Sequence, residues 1–279
     1  MDWNCITWQI PMPLVKAELE ILPTPFPSLG DSETHVWFLD LIELQQQASE
    51  LSALLSPDEQ ERAAQFKFDR DRLEYTITRG VLRLLLGAYL QSEPQAFQFT
   101  YNLWGKPSLS TTCLHFNVAH SHNFSMLAFN LTCSLGVDIE WIHPNFSIQN
   151  LTQLVLTDTE IQVMSGLPSS YQPLAFFQAW TRKEAYIKAL GRGLSIQLNT
   201  LEVGFDLKAV TLVTGLVGER HLLSKRSSTQ DDQTQTSLSL KDWQLMDFWQ
   251  IEGYAACLCV GNSSNFERVL STCRIRLIP

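Results

Sequence analysis

No apolar run in this 279-residue chain is long enough to cross a bilayer: the longest candidate, Val81 to Leu90, is short and carries Arg83. The first residues, with Asp2, Pro11 and Pro13, lack the basic end and apolar stretch of a secretory signal. Cysteine is sparse: Cys5, Cys113, Cys133, Cys257, Cys259 and Cys273 are scattered, unlike the dense even spacing of a disulfide scaffold. These absences point to a cytoplasmic protein with reduced thiols. Cys257 and Cys259 would share one strand face, but no second pair or histidine follows at zinc spacing, so two small core residues are expected there. Basic residues are outnumbered, 20 Lys and Arg against 29 Asp and Glu for a net charge of −9, which argues against a general nucleic-acid partner. What the chain does have is apolar mass, 45% hydrophobic with 10% aromatic, ample for one large domain or two ordinary ones.

Local signals then divide the chain. Ser56-Pro57-Asp58-Glu59 has the form of a capping box with proline at the first helical position, and predicts a helix through Ala63 and Phe66. Leu73, Ile77, Val81, Leu84 and Leu85 recur at helical spacing and predict a second helix ending near Leu90. Phe97, Phe99 and Tyr101 alternate as a half-buried strand does. The order then repeats: a capping box at Thr157-Asp158-Thr159-Glu160, a long helix from Leu174 to Leu190, and alternation at Leu201, Val203 and Phe205. Ser56 and Thr157 are 101 positions apart, as are Leu73 and Leu174, which points to a duplicated α+β half. Between the repeats, Leu114 to Val118, Ser125 to Asn130 and Leu135 to Ile139 read as strands, with Asn130 to Ser134 as a hairpin turn. Residues 224–239, rich in Ser, Thr, Gln and Asp, read as a surface loop.

Two stretches carry candidate chemistry. In Gly136-Val137-Asp138-Ile139-Glu140, strand alternation puts both carboxylates on one side, where a hard cation with oxygen ligands would relieve their repulsion. Taken alone, a solvated strand face explains the pair equally well. The second stretch is Trp180-Thr181-Arg182-Lys183-Glu184-Ala185-Tyr186-Ile187-Lys188. Phe177, Trp180, Glu184 and Ile187 set Glu184 on or beside an apolar helical stripe, where a carboxylate requires a partner. That partner is either Lys188 in a routine helix pair, or a magnesium ion shared with Asp138 and Glu140 while Lys183 and Lys188 meet phosphate oxygens. Gly191-Arg192-Gly193 reads as a helix stop, not a phosphate loop. His120 and His122 follow a strand, and imidazole is a poor choice for Mg²⁺.

Four pieces occur in one order: Gly105-Lys106-Pro107, Phe116-Asn117-Val118-Ala119-His120-Ser121, Gly136 to Glu140, and Trp180 to Lys188. In that order they resemble the surfactin-type (Sfp-type) phosphopantetheinyl transferases, over about Ser56 to Phe205. Arg62 to Arg83 resembles the family's first-half helices. The resemblance implies an α+β pseudo-dimer of two similar halves, residues 1–135 and 136–279, with coenzyme A in the cleft between them. It implies transfer of 4′-phosphopantetheine from coenzyme A to a serine of an apo acyl or peptidyl carrier protein, with Mg²⁺ as cofactor and the chain acting as a monomer. By position, Asp138, Glu140 and Glu184 resemble the magnesium ligands, Glu184 also being a candidate base, and Lys188 and Lys183 the pyrophosphate contacts. His120 and Lys106 resemble contacts to the 3′-phosphate region, and Arg62 and Arg79 are further phosphate candidates. Ala119 and His122 depart from the serine and glycine common in relatives. A magnesium-dependent nucleotide phosphohydrolase and a non-catalytic binder of coenzyme A or carrier are the competing readings. The segment after Pro144, with Phe146, Ile148, Leu151, Leu154 and Val155, is either a carrier-docking surface or core.

Overall fold

The computed structural model describes residues 21–31, 33–110, 112–143, 146–205, 243–248, 251–261 and 273–278. The loop expected at 224–239 lies outside them. The chain is α+β and forms two compact units, one of residues 1–28 and 44–97, the other of residues 29–43 and 98–279. Among the described residues no helix is long and apolar enough to cross a membrane.

The first unit is helical: α1 (Ala48–Ser52), α2 (Pro57–Ala64) and α3 (Asp69–Leu90). The capping box at Ser56 forms, its backbone N–H donating to Glu59 at 3.0 Å. Glu59 is also buried and accepts from Arg83 Nε of α3 at 2.6 Å, while Arg83 Nη1 donates to Pro94 O at 2.8 Å. One glutamate thus caps α2 and ties it to α3, so neither charge is buried alone.

The second unit holds the strands β1 (Thr34–Asp40), β2 (Phe99–Tyr101), β3 (Pro107–Leu109), β4 (His115–Ser121), β5 (Phe124–Asn130), β6 (Leu135–Trp141), β7 (Trp243–Phe248), β8 (Tyr254–Gly261) and β9 (Cys273–Ile278). Its helices are α4 (Gln149–Val155), α5 (Asp158–Ser165) and α6 (Gln172–Leu190). One sheet has the order β4-β5-β1-β9, antiparallel except for the parallel β1–β9 pair, and a second is the antiparallel β6-β8-β7; β2 and β3 pair separately. The expected β5–β6 hairpin is not present. These strands belong to different sheets, and Asn130 to Ser134 is the crossing between them. Asn130 makes that crossing rigid: its buried amide accepts from Thr132 N and Cys133 N and donates to Glu33 O and Thr34 Oγ1, satisfying the chain as it turns.

Strand β8 is buried on both faces. Ala255, Cys257 and Cys259 join the core under α6, and Ala256, Leu258 and Val260 join the one formed with β1, β5 and β6. Both cysteines are core residues, as expected from their spacing. The same alternation divides β6: Val137 and Ile139 enter the inter-sheet core, which leaves Gly136 and Asp138 for the α6 side.

Helix α6 ends at Gly191, in the left-handed conformation at φ 66°. Leu201 to Phe205 form no strand; Leu201 and Val203 pack into the α6 core instead. The segment after residue 145 divides. Ile148 and Val155 are core, Leu151 packs against it, and Phe146 and Leu154 reach the surface.

Candidate active site

Strand β6 and helix α6 lie so close that the site is built almost backbone to backbone, with Gly136 facing Ala185 and Ala189. Two residues further along β6, Asp138 is buried at 4% exposure and its Oδ1 accepts from Lys188 Nζ at 2.6 Å. Its Oδ2 is buried and has no hydrogen-bond partner. Burial raises the Asp138 pKa against the lowering effect of Lys188. Burial also raises Glu140, to about 7, with the Asp138 charge adding to it and the Ser121 hydrogen bond opposing it. Glu184, half-buried on α6, is raised by burial and then by Asp138. Burial works against the Lys188 ammonium, but Asp138, Glu184 and Glu140 outweigh it and hold its pKa above the ordinary value. Asp138, Glu140, Glu184 and Lys188 therefore share one electrostatic site, three acidic groups around one cation.

Strand β4 runs alongside β6 in the same direction, bridged by side chains. Asn117 Oδ1 accepts from Val137 N at 2.9 Å, and Ser121 Oγ accepts from Trp141 N at 3.1 Å. Ser121 also donates to Glu140 Oε2 at 2.9 Å. His120, one residue before, is exposed at this end of β4.

The profile of the 4′-phosphopantetheinyl transferase superfamily matches residues 134–259, and that of the 4′-phosphopantetheinyl transferase N-terminal region matches residues 43–132. The chain is similar to the 4′-phosphopantetheinyl transferase HetI of Nostoc sp. strain PCC 7120, with 37% identity over 188 residues, 65% of this chain and 78% of HetI. This chain belongs to the 4′-phosphopantetheinyl transferase superfamily. It is also similar to Sfp of Bacillus subtilis, 25% identical over 57% of this chain and 70% of Sfp. A further relative is the human L-aminoadipate-semialdehyde dehydrogenase-phosphopantetheinyl transferase, 28% identical over 58% of this chain and 56% of the human protein.

Not every residue singled out in the sequence joins the site of this transferase. Lys183 is a correction: its side chain is fully buried, pairs with Glu160 of α5, and donates to Val155 O at 2.6 Å. Such an ammonium has no route to a phosphate. Glu160 is the capping glutamate of Thr157, and its other oxygen accepts from Val203 N and Gly204 N, so the pair fastens α4, α5 and the 203–204 backbone onto α6. Lys183→Met should cost about 3 kcal/mol by stranding Glu160, and the folded enzyme should keep its KM for coenzyme A. Denaturant unfolding and initial rates check both halves.

Lys106 donates to Leu135 O at 2.9 Å and Ala189 O at 3.1 Å, stapling the first residue of β6 to the last turn of α6. Its place is at the opposite end of β6 from Glu140. Burial pushes the Lys106 ammonium down to about 8, against the Cys259 thiol. The unfolded chain, with a lysine near 10.5, keeps a proton that the folded chain releases, so this burial penalty is full below about pH 8 and is relieved as pH rises toward 10.5. Wild type should gain stability relative to Lys106→Met across that window, as read from denaturant midpoints. Arg62 and Arg79 lie in the helical unit, each guanidinium 5.7 Å from the Tyr75 ring centre, with Arg79 Nε 3.4 Å from Glu59 Oε1.

Among the described residues, no three His, Cys, Asp or Glu side chains already enclose a space for a metal ion. The donor chemistry nonetheless fits a hard cation: three carboxylates raised by burial, with the Asp138 charge adding to the rise of Glu140 and Glu184, and with a buried Asp138 oxygen left unpartnered.

Proposed function

We propose that this transferase moves the 4′-phosphopantetheine moiety of coenzyme A to a serine of an apo acyl or peptidyl carrier protein and releases 3′,5′-ADP. The observation that carries the reading is the Asp138, Glu140, Glu184 and Lys188 cluster, in which the unpartnered Asp138 Oδ2 calls for a cation. Asp138, Glu140 and Glu184 would hold Mg²⁺, which when bound neutralises pyrophosphate charge as it moves to the leaving group. Lys188, kept protonated by its three acidic neighbours, supplies a second positive charge for the same oxygens. The carrier serine Oγ bonds to the β-phosphorus of coenzyme A, the bond from that phosphorus to the bridging oxygen breaks, and the electron pair leaves on 3′,5′-ADP. The serine proton is assigned to Glu184, the carboxylate that α6 contributes to the cluster. His120, exposed and one residue before Ser121 in β4, is assigned to the 3′-phosphate.

The test is mass spectrometry on a panel of apo carriers incubated with the enzyme, coenzyme A and Mg²⁺, with 3′,5′-ADP followed in parallel. Holo-carrier and 3′,5′-ADP should form together and stop in excess chelator. Release of 3′,5′-ADP without any carrier would show a phosphohydrolase. Coenzyme A binding without transfer to any carrier would show a non-catalytic binder. His120→Ala should raise KM for coenzyme A about tenfold, the worth of one charge-assisted hydrogen bond, and leave KM for dephospho-coenzyme A nearly unchanged. Equal rises for both substrates would place His120 elsewhere.

A further inference from the structure

The two-residue turn between β4 and β5 is anchored far more firmly than an exposed hairpin requires. Ser121 pairs with Phe124 across it, and His122, the first turn residue, adopts φ 52°, a left-handed conformation that a side chain disfavours. The His122 ring stacks on Trp141, the residue after Glu140, with centroids 4.0 Å apart and planes 13° from parallel. Asn123 N donates to Tyr254 Oη at 3.3 Å, and Asn123 O accepts from Leu41 N at 2.8 Å. This turn carries Ser121, whose hydrogen-bond directions are forced. The Trp141 N–H can only donate, so Ser121 Oγ accepts from it and its own proton points to Glu140 Oε2.

We propose that Ser121 is a positioning residue, holding the Glu140 carboxylate at the cation site through a hydroxyl that the turn and the Trp141 backbone orient. Glu140 stands at the end of β6 and is half-buried, where a long side chain would otherwise sample several rotamers. One hydrogen bond from an immobile donor selects one of them before substrate arrives. The inference rests on the carboxylate-site reading above, and it reaches a residue to which neither the family resemblance nor the spacing of carboxylates gave a role.

The decisive experiment combines a double-mutant cycle with cation binding. Ser121→Ala should lower kcat about 10–100-fold, the usual effect of losing a group that orients a ligand, and leave KM for coenzyme A little changed. Ser121→Thr, which keeps the hydroxyl, should recover most of the loss. Adding Ser121→Ala to Glu140→Ala should cost almost nothing more, since the serine then has nothing to position. Mn²⁺ titrated into the free enzyme and followed by electron paramagnetic resonance should bind about tenfold or more weakly to Ser121→Ala than to wild type. Equal losses with Thr and Ala, or additive losses in the cycle, would overturn the positioning role. A wild type that binds no Mn²⁺ would overturn the cation reading instead, and the cycle alone would then decide the role of Ser121. Circular dichroism on each variant confirms that folded proteins are being compared.

Discussion

Asp138→Asn is expected to reduce transfer by about 10²–10³-fold, the scale of removing one preorganised electrostatic group from an active site, while the protein stays folded. The side chain sits in mid-strand, paired across β6 and β8 with Cys257 and covered by α6, at 4% exposure. One oxygen meets Lys188 at 2.6 Å, and the other is buried without a hydrogen bond. A buried acceptor left unmade is costly, and the neighbouring Glu140 and Glu184 are both pushed up by burial and further by its charge. The arrangement is therefore poor for stability, as expected of a site that a bound cation would complete. Asparagine keeps the shape and an oxygen for Lys188, removes the charge, and relieves the repulsion. Its melting temperature should stay near that of wild type while 3′,5′-ADP release collapses at any Mg²⁺ concentration. An asparagine variant that keeps more than about a tenth of the rate would sink the assignment, since that is a loss no larger than an ordinary hydrogen bond.

A second large effect is expected from one methyl group. Gly136 carries no positive φ, so backbone freedom does not demand glycine there. Space does: a Cβ would lie 2.9 Å from the Lys188 carbonyl carbon and closer still to Ala185 O and Ala189 N. All three are backbone atoms of α6 and cannot rotate away as a side chain would, so the helix itself has to move. Gly136→Ala should cost about 4 kcal/mol or more, beyond the usual range for overpacking. The same displacement carries Lys188 and Glu184 away from Asp138, so the folded fraction should lose most of its activity. Denaturant unfolding together with rates corrected for folded protein would test both. A variant with near-native stability would show that β6 and α6 are not in such close contact.

Local structure was legible wherever a signal fits inside a few residues. The boxes at Ser56 and Thr157 announce α2 and α5, and apolar spacing announces α3 and α6, because caps and helical periodicity act between neighbours in the chain. Strand β1 carries no such local signal. Val36, Trp37, Phe38 and Leu39 are all buried, so the run lacks the alternation that marks a half-buried strand. Helix α4 is short and carries no cap signal, and Leu151 and Val155 gave only apolar content to read. Residues 130–134 carry a turn signal yet β5 and β6 do not pair, because such a signal states that the chain reverses, not which strand it pairs with next.

By itself, the sequence determined the α+β class, the main helices, and the shared side of Asp138 and Glu140, since alternation in β6 places both on one face whatever lies opposite. Only the tertiary structure decided which cation serves them. Lys183 and Lys188 are five positions apart and so face about 140° apart on α6. Lys183 is turned to Glu160 of α5, Lys188 to Asp138 of β6. The partners lie 23 and 50 residues away in the chain, and a contact at that distance is set by packing, not by spacing. The need for glycine at 136 is of the same kind, because what excludes a side chain there is the backbone of a helix some fifty residues later.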